Sequence, residues 1–279
     1  MNTRTDFFKA KDMGSGITRI SGTGYSFCYL VRGKKSALLV DAMTGLGDLR
    51  GYVARLTPLP LQVAVTHGHF DHCGGITGFD EAWIPPQDLF LLPAQLKRER
   101  QFWFEAQNAA SRKQRSDFSP NDFTPLGRTV LHAVRDGMEF DLGGRIVTAV
   151  ALPGHTPGSF GFLDSKTGIF FSGDAASMLT FMFLRHSSPV SVYWKALRRL
   201  KATRSHQISQ WYNAHHFTEM PESILDDMIR ACRDALAGRI TGQSFRNNPD
   251  LRFVYPVTPR WRRADGRYGN MIVNVRHVC

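Results

Sequence analysis

The run Leu61-Gln-Val-Ala-Val-Thr66 is apolar nearly throughout and is followed at once by Thr66-His67-Gly68-His69-Phe70-Asp71-His72-Cys73-Gly74-Gly75. A short continuous apolar run of this kind is a strand covered on both faces, which demands packed layers on either side of its sheet. The chain must leave that buried strand directly into a loop carrying three His and one Asp within six residues. An extended exit places His67 and His69 on the same side, two residues apart. A turn into a following helix swings Asp71 and His72 to a neighbouring position, and the glycines let the backbone close tightly. A lone His is ordinarily a satisfied core or surface residue. Four imidazole and carboxylate groups at this density instead match the ligands that a borderline cation such as zinc accepts.

The rest of the pattern predicts an α/β chain. Short β-like runs occur at 17–20, 27–32, 36–41 and 82–85, with a helix over 45–56. Residues 86–127 break the rhythm with helices over 89–92 and 96–110. Phe102-Trp103-Phe104 sits in the second of these, and three adjacent rings cannot share one buried stripe, so either that helix is covered on two sides or one ring faces a cleft. Strands resume at 129–134, 138–140, 145–152, 159–163, 168–171 and 208–213, with one helix opened by Ser187-Ser188-Pro189, Pro in its first turn, running to about 202, and another over 221–237 stopped by Gly238. Segments 251–255 and 270–275 read as added edge strands. With no repeat and no Ser/Gly linker, the expectation is one domain over 1–279, with a helical insertion at 86–127 and a C-terminal extension from about 239. Strands then a helix, occurring twice, suggests two sheets back to back with helices outside.

The composition excludes little more. No stretch approaches the roughly 18 apolar residues of a membrane span. The first residues lack the apolar segment of a secretory signal, and four Cys (28, 73, 232, 279) without paired spacing make no disulfide framework, so a reducing, cytoplasmic setting is the default. The 35 Lys and Arg against 24 Asp and Glu give a net charge of +11, compatible with acidic substrates, nucleic acid or an ordinary basic surface.

The segment His67-x-His69-x-Asp71-His72 resembles the His-x-His-x-Asp-His signature of the metallo-β-lactamase superfamily. Later pieces recur in order: Leu38-Leu39-Val40-Asp41, Pro153-Gly154-His155-Thr156-Pro157-Gly158-Ser159, Phe171-Ser172-Gly173-Asp174 and Trp211-Tyr212-Asn213-Ala214-His215-His216. The resemblance spans residues 17 to about 237 and implies a four-layer αββα sandwich, with the insertion over a site at one edge of the sheets. Carried over, His67, His69 and His155 would hold one metal. Asp71, His72 and a late His would hold a second, and Asp174 would bridge the two. Aligning Asn213-Ala214-His215 with the family's Pro-Gly-His makes His215 the late ligand, leaving His216 beside the site or toward substrate. Two divalent ions are implied, zinc first, with iron or manganese as alternatives.

The chemistry implied is that of a binuclear hydrolase whose bridging hydroxide attacks a small carbonyl compound (lactone, ester, thioester or β-lactam), with Asp71 orienting the nucleophile. Asp41 is a candidate partner fixing imidazole tautomers. The loops look most like the glyoxalase-II and lactonase branches, and Asp174, where antibiotic-hydrolysing members generally carry another residue, argues against that activity. Two alternatives remain: a nucleic-acid phosphodiesterase, motivated by the charge and by Arg246, Arg252, Arg260, Arg262, Arg263 and Arg267, and a mononuclear iron oxidoreductase. Cys73, lacking an evident base, reads as packing, and His132, His206 and His277 have no site context. His186, in Phe183-Leu184-Arg185-His186, is a candidate to reach the pocket. Neither substrate nor oligomeric state is fixed by the sequence.

Overall fold

In a computed structural model, residues 4–23, 26–111, 118–125, 127–215 and 219–278 are described. The first sheet runs in the order of the chain: β1 (Lys9–Gly14), β2 (Ile17–Ser21), β3 (Phe27–Arg32), β4 (Ala37–Val40), β5 (Leu61–Ala64), β6 (Glu81–Ile84) and β7 (Val130–Ala133). Strands β1 to β4 form antiparallel neighbours, whereas β4 to β7 are mutually parallel. Parallel neighbours need crossovers. Helix α1 (Leu49–Ala54) supplies the first, α2 (Phe70–Cys73) with the 3₁₀ turn Gly74–Gly78 the second, and the helical insertion the third. That insertion consists of a 3₁₀ segment Pro86–Leu91, α3 (Leu92–Gln95) and α4 (Arg98–Ser111).

The second sheet comprises β8 (Glu139–Asp141), β9 (Ile146–Ala151), β10 (Phe160–Asp164), β11 (Ile169–Gly173), β13 (Gln210–Asn213) and β14 (Glu219–Met220), with β11 and β13 parallel. Its outer face is covered by α5 (Val190–Arg204) and α6 (Ile224–Leu236). Three apolar cores make the layering explicit. Ile17, Val31, Leu38 and Val40 of the first sheet meet Val147, Phe162 and Phe171 of the second. Val63 and Leu39 pack outward on Leu49, Val53 and Ile76, and Phe170 and Trp211 pack on Leu197, Met228 and Cys232. This is the αββα sandwich.

Three expectations are corrected. Segments 251–255 and 270–275 do not extend either main sheet. β15 (Ser244–Phe245), β16 (Asn248–Phe253) and β17 (Asn270–Asn274) join β12 (Leu179–Met182), unforeseen in the sequence, in a separate third sheet. There β17 pairs parallel with β12, and its buried Met271 and Val273 reach the core under α5 and α6, so β17 is a buried strand that nevertheless lies off the sandwich edge. The helix read over 45–56 forms only from Leu49, because Asp48 caps it by accepting from the Gly51 amide at 2.8 Å. Pro189, similarly, stands at the cap of α5 and not inside its first turn.

Candidate metal centre

In sheets of this kind, functional groups gather where parallel strands end at their carboxyl side. Asp41 follows β4, Thr66 and His67 follow β5, and Asp88 follows β6, while Asp174 follows β11 and His215 follows β13. His155 comes from the turn between β9 and β10. All seven sequence-singled residues (His67, His69, Asp71, His72, His155, Asp174 and His215) lie together, and His216 falls outside the described residues.

They form overlapping triads: His67, His69 and His155; His67, His72 and Asp174; and Asp71, His72 and His215, each with its ligand-type atoms within 4.8 Å of one another. His69 Nδ1 is 3.0 Å from His67 Nε2 and 3.0 Å from His155 Nε2. His72 Nε2 is 3.3 Å from His215 Nε2, and Asp71 Oδ2 is 3.7 Å from the latter. Asp174 lies between the groups, 3.5 Å from His155 Nε2, 3.7 Å from His72 Nε2 and 3.0 Å from His215 Nε2.

The outward nitrogens fix what the inward ones present. His155 Nδ1 faces the Phe181 carbonyl at 2.9 Å, and a carbonyl only accepts, so Nδ1 carries the proton and Nε2 a lone pair. His72 Nδ1 donates likewise to Asp41 Oδ2 at 2.9 Å. Thr66 Oγ1 gives its proton to Asp41 and therefore accepts from His67 Nδ1 at 3.1 Å, leaving His67 Nε2 unprotonated. One buried carboxylate thus orients two imidazoles, one directly and one through a hydroxyl. Asp41 also accepts from the Thr66 amide at 2.7 Å, and these bonds hold it at φ +67, a conformation costly for a non-glycine residue.

Converging lone pairs about 3 Å apart repel unless a cation sits among them. Tetrahedral zinc with bonds of about 2.0–2.1 Å separates its nitrogens by about 3.3 Å. Buried Asp174 Oδ1 has no hydrogen bond, although an ion-pairing nitrogen is close. Burial, reinforced by the neighbouring imidazoles, holds His67 and His69 well below the usual histidine range, so these rings are neutral donors. For His215 burial acts downward, but Asp174 and Asp71 outweigh it and push the ring up to about 9. His72 rises for the same reason, Asp41 leading. Burial raises Asp174, and His215 and His72 overcome this and hold it well below the carboxylate range. The acidic half of the centre thus calls for positive charge that divalent cations would supply. The donor set fits such ions.

Asp88 was not singled out by the sequence. Fully buried, it accepts from the Gly68 amide at 2.8 Å, the Gly158 amide at 2.8 Å and Thr156 Oγ1 at 2.7 Å, tying the His67–His69 loop to the His155 loop. A Cβ on Gly68 would stand 2.8 Å from Asp88 Cβ, and one on Gly158 2.6 Å from its Cγ, so both glycines permit the clasp. His186 does reach the site, its Nε2 2.7 Å from His69 Nε2. The other readings resolve plainly. Burial pushes the Cys73 thiol far up, which disqualifies it as a nucleophile. His132 stacks on Trp83 and meets Glu81 at 3.0 Å, away from the centre.

Above the centre lies a cavity of about 610 Å³ whose lining includes Asp71, Asp174, His69, His155, His186 and His215. The insertion contributes Gln95, Arg100 and Phe104 to its wall. The three adjacent rings split as their 100° spacing requires: Phe102 packs on Phe118, Trp103 is 63% exposed, and Phe104 meets Phe70 at 4.8 Å in the cavity wall.

A family model described as the metallo-beta-lactamase superfamily matches residues 21–205. An acyl-coenzyme A thioesterase, MBLAC2 of Gallus gallus, is 30% identical over 183 residues, 61% of this chain and 66% of that protein. The chain thus spans just under two thirds of that relative. A probable polyketide biosynthesis zinc-dependent hydrolase, BaeB of Bacillus velezensis, is 24% identical over 217 residues, 74% of this chain and 79% of that protein. Among solved structures, a metallo-beta-lactamase from Pontibacter korlensis superposes with a TM-score of 0.56 at 15% identity, covering 81% of this chain and 99% of that one, a likeness of fold.

Proposed function

The chain belongs to the metallo-beta-lactamase superfamily, and from that premise we propose that it is a hydrolase of small carbonyl compounds, thioesters first, acting through two divalent cations. His67, His69 and His155 would hold one ion and Asp71, His72 and His215 the other, with Asp174 shared and zinc the expected metal. The observation that carries this reading is the inward presentation of unprotonated His67 and His155 nitrogens, enforced from outside by Thr66 and the Phe181 carbonyl, with Asp41 orienting His72 beside them. When bound, such ions lower the pKa of a water toward about 7 and polarise the attacked carbonyl.

The chain's own groups do the rest. Asp71, on the cavity floor, accepts a proton from the attacking water and returns it to the departing group. In a thioester, the water oxygen bonds to the acyl carbon, the carbon–sulfur bond breaks, and the proton ends on the thiolate. His67, His72 and His155 keep their geometry throughout because each is braced from behind. The thioester preference draws on the activity for which the chicken relative is named and on Asp174 in the bridging place. Of the arginines that motivate the nucleic-acid alternative, Arg263 donates to the Tyr268 and Gly269 carbonyls and pairs with Asp265, and Arg252 donates to the Gly242 carbonyl, so these two guanidiniums serve the tail's own turns.

The test is a panel of thioester, lactone, ester, β-lactam and phosphodiester substrates, assayed metal-replete and after chelation. Thioester turnover lost on chelation and restored by zinc is expected. Failure of every carbonyl substrate with metal fully loaded overturns the reading.

A further inference from the structure

Part of the apolar cavity wall comes from outside the family-matched segment. Chain beyond residue 205 contributes Phe245, Arg246 and Trp261, brought in by the third sheet. Because β17 pairs with β12 and with β16, and β16 with β15, Phe245 arrives beside Phe181 and Phe183, at ring separations of 5.8 and 5.6 Å, and Trp261 lies 5.6 Å from Phe245. Met178, Leu179 and Leu184 continue the apolar surface. The same strand that carries Phe181 holds His155 through its carbonyl, so the apolar wall abuts the centre directly.

The charged lining has one sign beyond the centre itself. Among the described residues, Asp71 and Asp174 are the sole carboxylates lining the cavity, both assigned to the cations, whereas Arg100 and Arg246 stand exposed at its margin. Each guanidinium rests over a ring, Arg100 over Phe70 at 5.2 Å and Arg246 over Phe245 at 5.1 Å. Neither enters an ion pair among the described residues. An apolar groove of this size suits a sizeable organic ligand, and cations presented from aromatic platforms suit negative charge on its solvent-facing end.

Resting on the hydrolase reading above, we propose that the substrate is an acyl thioester whose apolar acyl chain lies along Phe181, Phe183, Phe245 and Trp261 and whose thiol portion is anionic and met by Arg246 and Arg100. The wall sets preference and the arginines set charge selectivity, through residues that take no part in bond breaking. Acyl chains then gain with length for as long as the wall has surface to cover.

The experiment compares coenzyme A thioesters with uncharged N-acetylcysteamine thioesters, from acetyl to dodecanoyl, on the metal-loaded protein. Per added methylene, kcat/KM rises about threefold to fourfold over the middle of the series, the increment that hydrophobic transfer gives. The coenzyme A series runs faster at low salt and converges on the neutral series as salt screens the exposed arginines. Trp261→Ala, a substitution at a half-exposed ring, flattens the chain-length slope. Arg246→Glu lowers the charged-to-neutral ratio by on the order of fivefold, the size of an exposed ion pair, with an unaltered Tm excluding misfolding. A flat length series, or equal rates on charged and neutral thioesters, overturns the proposal while metal-dependent hydrolysis of the acetyl substrates keeps the hydrolase reading intact. Loss of hydrolysis across both series with metal bound overturns both.

Discussion

At the centre, two buried carboxylates each accept three hydrogen bonds: Asp41 from the Thr66 amide, the Thr66 hydroxyl and His72, and Asp88 from Gly68, Gly158 and Thr156. In the wall contributed by the third sheet, Phe245 touches Phe181, Phe183 and Trp261 through ring faces and edges alone. The first region is fixed by directional bonds whose loss strands buried polar groups, the second by non-directional burial that tolerates changes of shape. Substitutions in the former should therefore alter metal binding and rate, and those in the latter substrate preference.

The sharpest break of this contrast is His69→Ala, which should abolish turnover and lower metal content measured by elemental analysis, while His132→Ala changes neither. Equal losses in both would dissolve the distinction between centre and periphery. Next comes Asp88→Ala, which touches no candidate ligand and leaves two amides and a hydroxyl without their acceptor. Metal affinity should weaken about 10–100-fold, the usual cost of losing an outer partner, with a fall in stability of about 1–3 kcal/mol. Calorimetric titration with zinc separates the two, since a purely structural Asp88 would lower Tm and leave affinity alone. Asp88→Asn, which keeps one acceptor oxygen, should recover part of both.

Smaller effects belong to the wall. Phe104→Ala should shift preference among thioesters, whereas Trp103→Ala, one residue away and turned to solvent, should stay within about 0.5 kcal/mol of the parent in stability with an unchanged substrate profile. The smallest is a pH effect on the attachment of the third sheet. Asp234 of α6 accepts from Tyr255 at 2.6 Å and Arg239 at 2.7 Å. Burial raises its carboxyl, but these bonds, Tyr255 first, override it and lower the pKa to about 2. Because the folded value lies below the unfolded value of about 3.9, its stabilisation is full above pH 4 and disappears as pH falls toward 2. The Tm gap between the parent and Asp234→Asn should shrink over that window, and a gap independent of pH would show that the bonds, not the charge, matter.

What the sequence made legible was whatever is written locally. Three His and an Asp packed into one strand exit cannot be explained by a core, and His155, Asp174 and His215 follow strands whose apolar runs are unambiguous. Asp88 was hidden because a single carboxylate in Pro86–Leu91 looks like any surface acid, and only the fold carries Gly68 and Gly158 to it. The seven residues of Leu179–Arg185 gave no alternation to read, since strand β12 owes its existence to β17, some ninety residues on in the chain. Strand β1 was missed for the opposite reason: Lys9–Gly14 is polar and almost wholly exposed, and its pairing with β2 alone makes it a strand. Long-range pairing, unlike ligand density, leaves little trace in a window of ten residues.

Metal stoichiometry tests the central claim most directly. Elemental analysis of the purified chain after zinc loading should give two ions per chain, and His215→Ala, which removes a donor from the Asp71–His72 side alone, should give one. A single ion in the parent chain, unchanged by His215→Ala, would contradict the paired centre.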